Sequence, residues 1–390
     1  MRKAPLLFLS LASLLPTDLA ALEVRFHPGE VVYSYEVDPA RGLSTVVLQN
    51  IAVVERDGGP VTLDSLEIQA LSGGQIVQTQ TVPVAALDQS AQKLSALDAA
   101  GLLKLYDFQL QTSRSLGEGI KVSPSRTLAP GTGLLVMGRA LLLSGPTDEI
   151  AVLAHARDAD GKPVEARASL RVAEHQSANE YRFPLAGTVY VGAAPSLDSH
   201  HRWAVPQEFA LDLVVLGGDG KTHKGNGQRL DEYYDYGRDV LAVADGVVVE
   251  AAGDASESND RLRQPGESAE DYQKRTAAEQ GRLMAQGLKT LLGNYVVIRH
   301  GGGEFSDYVH LKAGSVRVHA GDTVKAGQVI GQLGQSGNST EPHLHFQLTD
   351  GPDPLYSRGL PIVFQNVSVE GLDIEGPRPL QTGWIVTAKE

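Results

Sequence analysis

From Leu22 to about Val172 short apolar runs alternate with turn-forming residues, as in STVVLQNIAVVERDGG, LLVMGRALLLSG and EIAVLAHARDADGKPVEARASLRV. Runs of this length, rich in Val, Leu and Ala and bounded by Gly, Asp and Pro, predict strands joined by hairpins. The segment Arg157-Asp158-Ala159-Asp160-Gly161-Lys162 is a hairpin turn, because Asp-Gly accepts the positive φ such a turn requires. The strand spacing predicts a β-sandwich of immunoglobulin or fibronectin type over residues 22–172. Within it, Val84 to Leu105 is richer in alanine, leucine and lysine, which predicts an inserted helix.

Residues 173–180 turn polar, with His175, Gln176, Ser177 and Asn179, and read as a short linker. A second domain, 181–390, follows, with short glycine-punctuated strands in DVLAVADGVVVEAAGD, GNYVVIRHGGG, FSDYVHLKAG and HLHFQL. An antiparallel β fold is expected, with a C-terminal extension past about Phe364. The charged segment 254–289 interrupts the strands. Ser268 followed by Asp271 resembles a capping box and good helix formers come next, so a helix is expected there. Such an insertion is either a lid or docking surface or, more commonly, a solvated decoration.

Composition narrows the chemistry. The 42 glycines and 20 prolines suit strands and turns rather than long helices. With zero cysteines, disulfides, thiolate metal sites and cysteine nucleophiles are excluded together. Any metal must be held by histidine and carboxylate. A formal net charge of -13 argues against nucleic acid or an anionic membrane as an electrostatic partner. The chain opens with Met1, Arg2 and Lys3, an apolar stretch and a small-residue site at Ala20 and Ala21, so residues 1–21 read as a secretory signal peptide. A secreted or periplasmic protein is expected, without a membrane span after cleavage.

The sharpest feature is Glu341-Pro342-His343-Leu344-His345-Phe346-Gln347-Leu348. Alternate residues of a strand share a face, so His343 and His345 emerge together and could share a metal, or could simply be half-exposed strand histidines. Upstream, Asp307-Tyr308-Val309-His310-Leu311 places a histidine near a strand end, where it could move protons or stabilise charge. Asp212 lies in the apolar run ALDLVVL after His200 and His201. A carboxylate in such a strand is costly to bury alone, and a divalent cation is its natural partner.

In this order the residues resemble the lysostaphin-type zinc metallopeptidases, which include many enzymes that cut peptide cross-links of peptidoglycan. That family carries an early histidine and aspartate, a histidine before leucine, and a final HLH. A glycine-rich stretch like Gly321-Asp322-Thr323-Val324-Lys325-Ala326-Gly327-Gln328-Val329-Ile330-Gly331 and GQSGNSTEPHLHF lies between. The resemblance covers roughly 181–364. It implies a single Zn2+ held by His201, Asp212 and His345, with His310 and His343 as the catalytic pair whose individual roles stay open. It further implies hydrolysis of an amide bond in a short peptide, peptidoglycan stem peptides being the expected substrate. His201 and Asp212 are spaced more widely than in many relatives, and His200 is the alternative ligand.

Other functions fit the same residues. A catalytically silent module could regulate another cell-wall hydrolase, and an exported zinc peptidase could act on a protein. The segment 217–237 is a further insertion, whose tyrosines Tyr233, Tyr234 and Tyr236 either line a groove or pack. His27, His155, His175, His223 and His319 read as incidental, and His300 as part of a turn.

Overall fold

A computed structural model describes residues 21–371 and 377–389. The expected export segment, Ala21 apart, lies outside the described residues. Among those described, no helix is long and apolar enough to cross a membrane. Strand outweighs helix, 39% to 19%, so the chain is mainly β.

The N-terminal half forms two sheets facing across one core. One runs Leu22–His27, Leu43–Glu55, Thr132–Ser144 and Lys121–Val122, with Tyr35–Asp38 also on Leu43–Glu55. The other runs Val31–Tyr33, Pro163–Ala173, Glu149–Arg157, Val61–Ser72 and Gln75–Pro83, with Thr127–Leu128 also on Val61–Ser72. Inward-facing Val46, Leu48, Ile51, Leu66, Ile68, Val136 and Val152 fill the space between. The hairpin at Asp158–Lys162 closes the antiparallel pair Glu149–Arg157 and Pro163–Ala173. Two short pairings are parallel, Pro163–Ala173 with Val31–Tyr33 and Lys121–Val122 with Thr132–Ser144. The inserted helix is Val84–Ala99, and the short helical turns Leu102–Leu105, Asp107–Leu110 and Thr112–Leu116 follow it.

The C-terminal half is built on one long antiparallel sheet. Its order is Thr323–Val324, Gly246–Ala252, Asn294–Arg299, Phe305–Leu311, Leu344–Thr349, Leu211–Val214, Thr188–Ala193, Ile385–Ala388 and Val367–Val369. The C-terminal extension thus returns as two strands that lengthen the sheet at one edge. One face packs Leu211, Leu213, Val296, Ile298, Tyr308, Leu344 and Phe346 into the main core. Strand alternation sends the intervening side chains of the same central strands to the other face. There Asp212, Asp307, His345 and Gln347 meet a smaller apolar cluster containing Tyr295, Val297, Phe305 and Val309.

Two excursions cover that second face. The insertion 254–289 contains the helix Ala269–Gln286, started by the Ser268 side chain accepting from the Asp271 amide at 3.1 Å and ended at Gly287. Its Leu283 and Met284 are buried in the smaller cluster beside Phe108, which comes from the helical turns of the N-terminal half. The helix is therefore a packed wall and not a solvated decoration.

Candidate metal centre

Asp212 and His345 are direct cross-strand partners in neighbouring strands, and Val309 stands opposite His345 on its other side. This register places the carboxylate and the imidazole on one face at the closest spacing a sheet allows. His345 Nδ1 lies 3.0 Å from Asp212 Oδ1, and His201 Nε2 lies 2.9 Å from Asp212 Oδ2. His343 Nε2 is 3.6 Å from Oδ1. His310 completes the group, its ring 4.9 Å from that of His343 and 6.0 Å from that of His345. The structure brings together all the side chains singled out by the motifs.

His200 is near enough to matter. Ligand-type atoms of His200, His201 and Asp212 lie within 4.8 Å of one another. His345 approaches the other carboxylate oxygen, Oδ1. Of the two adjacent histidines, His201 is buried and touches Asp212, while His200 is exposed and rests its ring 3.8 Å from that of His201.

Each of these imidazoles has its other nitrogen tied down. His201 Nδ1 donates to Gln207 Oε1 at 3.0 Å, and His345 Nε2 to Gln347 Oε1 at 3.2 Å. His343 Nδ1 donates to the Glu341 carbonyl at 2.9 Å, and His310 Nδ1 to the Ser336 carbonyl at 2.9 Å. These tautomers follow from the partners, since a carbonyl oxygen can only accept. The Gln347 amide is oriented the same way, because its Nε2 donates to Asp307 Oδ2 at 2.8 Å and to the Pro354 carbonyl at 2.9 Å. The nitrogen of His201, His343 and His345 that is not tied outward faces Asp212.

The backbone near His310 is built for this arrangement. His310 has φ +65, an uncommon conformation for a residue with a side chain. Beside it, Gly293 and Gly337 touch backbone to backbone, and a Cβ on either would come within 2.4 Å of the other's nitrogen. That contact lets the Leu292 carbonyl accept the His310 amide at 3.2 Å while the Ser336 carbonyl accepts its ring.

The electrostatics suit a cation. Burial would push the Asp212 carboxyl up, but the neighbouring His201 and His343 and the close approach of the His201 and His345 nitrogens outweigh it and hold the group well below the usual carboxylate range. For His201 burial is likewise outweighed, here by Asp212, and its pKa is raised. Burial lowers His345 and carries His310 well below the usual range, with the His343 and His345 rings adding to the effect on His310. Partial desolvation against its neighbours, followed by His201, lowers His200 to about 4 although the residue stays open to solvent on its outer side. A carboxylate held ionised among imidazoles, each braced by an outer acceptor, is a donor set that a divalent cation fits.

The centre lies where two concavities meet. One, of about 440 Å³, is walled by Phe108 and Gln109 from the N-terminal half, Gln280 from the insertion helix, and Leu292, Asn338 and Leu355. The other, of about 390 Å³, is lined by Tyr190, Asp198, Ser199, Thr222 and Glu341. They share His200, Asp212, Thr340 and His343, so a groove runs to both sides of Asp212. The insertion tyrosines pack instead of lining it. Tyr233 is buried with Leu230 and Leu262, and the Tyr234 ring covers Gly217.

The sequence pattern did not mark Gln207, Ser336, Asp307 or Gln347. For Gln347 a signal existed, since it follows His345 by two positions and so shares its face. Gln207 and Ser336 carry no such signal, because Gln207 ends a short helical turn and Ser336 sits in an irregular loop. His300 is a buried brace, bonded to the Asp245 carbonyl and to Ser306 Oγ, and His175 binds Glu304 at 2.7 Å. His175 is therefore not incidental.

Residues 268–356 match the model of Peptidase family M23. That stretch includes His310, His343 and His345. Among curated proteins, 79 residues, 20% of this chain, are 39% identical to the DD-carboxypeptidase/endopeptidase Mpg of Neisseria meningitidis serogroup B and span 18% of it. A further 71-residue match, 18% of this chain, is 41% identical to the peptidoglycan DD-endopeptidase ShyC of Vibrio cholerae and spans 16% of that protein. Among solved structures, the catalytic domain of lysostaphin from Staphylococcus simulans aligns over 46% of this chain and 88% of its own, at 20% identity and a TM-score of 0.23. Residues 268–356 thus form a domain of Peptidase family M23, and these two curated relatives are named as endopeptidases.

Proposed function

We propose that this chain is a zinc-dependent endopeptidase that hydrolyses amide bonds in the peptide cross-links of peptidoglycan. The observation that carries this reading is the convergence of His201, His343 and His345 on one ionised carboxylate, with the remaining nitrogen of each ring anchored outward. His201 Nε2, Asp212 and His345 Nδ1 would hold the ion. Bound there, zinc supplies Lewis-acid polarisation of the scissile carbonyl and makes hydroxide available near neutral pH.

The chain's own groups account for the rest of the chemistry. With Nδ1–H committed to a backbone carbonyl, His310 and His343 each leave Nε2 as the atom through which a proton can be exchanged. One can take the proton of the attacking water and return it to the leaving amine, while the other, once protonated, steadies the developing oxyanion. Burial keeps His310 neutral at physiological pH, so the acceptor form is the resting one. The groove passes to both sides of Asp212, which suits an extended peptide crossing the centre. The peptidoglycan DD-endopeptidase activity in the name of the Vibrio cholerae relative agrees with a peptidoglycan substrate.

The test is digestion of purified muropeptides by the metal-replete protein, with a chelated control and the His345→Ala variant alongside. Products should form only in the replete wild type, and His345→Ala should lose both bound zinc and hydrolysis. Retention of both by His345→Ala overturns the site, and a wild type that binds zinc stoichiometrically without cutting overturns the enzymatic reading.

A further inference from the structure

The segment that carries His201 leaves the sheet altogether. Between His201 and Asp212 the chain makes two short helical turns, His200–Trp203 and Val205–Gln207, before it re-enters the sheet at Leu211. A segment of this kind has no ladder of its own, and fixing it costs entropy that some other contact must offset.

Local backbone bonds and the Trp203 Nε1 bond to the Leu197 carbonyl supply part of this, and the N-terminal half supplies contacts at Arg202 and Trp203. Gln49, in the strand Leu43–Glu55, donates from Nε2 to the carbonyl of Arg202, the residue directly after His201, at 2.8 Å. The Arg202 guanidinium is fully buried and reaches the Thr45 carbonyl of the same strand through Nη2 at 3.4 Å. Its Nη1 meets Glu208 at 2.9 Å in a pair sealed from solvent. The guanidinium lies over the Phe209 ring at 4.8 Å and the Tyr35 ring at 5.8 Å, Tyr35 again belonging to the N-terminal half.

Trp203 is seated the same way. Gly138, in the strand Thr132–Ser144, has φ +61 and stands so close to the Trp203 ring that a Cβ there would lie 3.2 Å from it. The Tyr35 hydroxyl donates to the Leu380 carbonyl, and Gln381 Nε2 to the Glu36 carbonyl at 2.7 Å, so the C-terminal extension is fastened to the same surface.

We infer that the N-terminal sandwich positions the first metal ligand: Gln49 and Thr45 grip Arg202 and thereby hold His201 against Asp212, so that cation affinity depends on the docking of the two halves. The inference rests on the reading of His201 as a ligand. Gln49 is a positioning residue, since it touches neither the cation nor a substrate. The wide spacing of His201 and Asp212 has its reason here, because the extra residues form the grip that the sandwich holds.

Two measurements on the full-length chain test this, and neither needs a peptide substrate. Gln49→Met keeps the side-chain length and removes the donor. Competition against a chromophoric chelator should give zinc binding about ten- to a hundredfold weaker in Gln49→Met, the usual effect of removing a support behind a ligand. Gln75→Ala, on an exposed edge strand, should bind as the wild type does. Affinity within twofold of wild type in a folded Gln49→Met, or an equal loss in Gln75→Ala, would overturn the inference.

The second measurement, hydrogen exchange on the metal-free wild type, does not depend on a variant folding. The hydrogen-bonded amides of Arg202, Ala204 and Gln207 should be as protected as those of the strand Leu211–Val214, because the sandwich holds the segment before any ion arrives. Rapid exchange that slows only when zinc is added would equally refute it. A wild type that binds no zinc defeats the parent reading, and the exchange result then still decides whether the N-terminal half holds the segment.

Discussion

Single residues behind the metal centre set how well it can work. Gln347 faces three ways: it accepts from His345 Nε2 and donates to Asp307 and to the Pro354 carbonyl. Asp307 is fully buried, its Oδ1 has no hydrogen-bond partner among the described residues, and burial pushes its carboxyl well above the usual range. A neutral acid at the end of the chain is the state this environment favours, since an ionised one would carry an uncompensated charge. Gln347→Leu removes the acceptor that fixes the His345 tautomer, and zinc affinity should drop by roughly ten- to a hundredfold. Competition against a chelator measures it, and an unchanged constant would mean that the tautomer is set elsewhere. His310 separates binding from chemistry. Since it would not ligate the ion, His310→Ala should keep stoichiometric zinc and lose about 10²- to 10⁴-fold in kcat, the contribution of a positioned proton acceptor. Loss of the metal in that variant would move His310 among the ligands.

Among the elements, the helix Ala269–Gln286 is the most informative. Its start was legible, because Ser268 and Asp271 form the cap that their spacing announces. The helix runs through Gly281 and ends at Gly287, so glycine alone did not mark where it stops. What it packs against was not legible, because a mostly charged helix with Leu283 and Met284 as its buried residues does not name its partner, and the partner Phe108 lies in the other half of the chain. Periodicity reports that a face is apolar and says nothing of a surface far away in sequence. Phe108 is almost wholly buried between the helix and the sheet strands, and it also walls the groove. Phe108→Ala should destabilise the protein by about 3–5 kcal/mol, the usual cost of emptying an aromatic site in a core. Urea unfolding would read this directly. A loss well under 1 kcal/mol would mean that the wall is loosely packed and free to swing.

At the scale of the whole molecule, the motifs with a fixed local pattern were readable. His345 of HLH and the aspartate of ALDLVVL lie opposite each other on adjacent strands, while His343 stands just before its strand begins at Leu344. The union of the two halves was not readable, because it is made by polar side chains that follow no period. Residues 173–180 look like a plain linker in sequence, yet they are fastened to the second half at one point. Glu304 accepts from His175 Nε2 at 2.7 Å, Ser177 Oγ at 2.6 Å, Asn179 Nδ2 at 2.7 Å and the Tyr181 hydroxyl at 2.6 Å.

That carboxylate gives the junction a pH dependence of known sign. Burial would raise the Glu304 pKa, but the hydrogen bonds from His175, Ser177, Tyr181 and Asn179 outweigh it and hold the value down to about 2. In the unfolded chain a glutamate titrates near about 4.3. A folded value below the unfolded one means that the ionised form stabilises the fold above about pH 4.3, and that this contribution drains away as the pH falls toward the folded value. Glu304→Gln keeps the shape and removes the charge. Its stability deficit against wild type should therefore be full at pH 7, narrow steadily below about pH 4.3 and nearly close by pH 2. Denaturant midpoints of the two proteins across that range decide the matter, and a deficit that stays constant with pH would show that shape, not charge, fastens the linker.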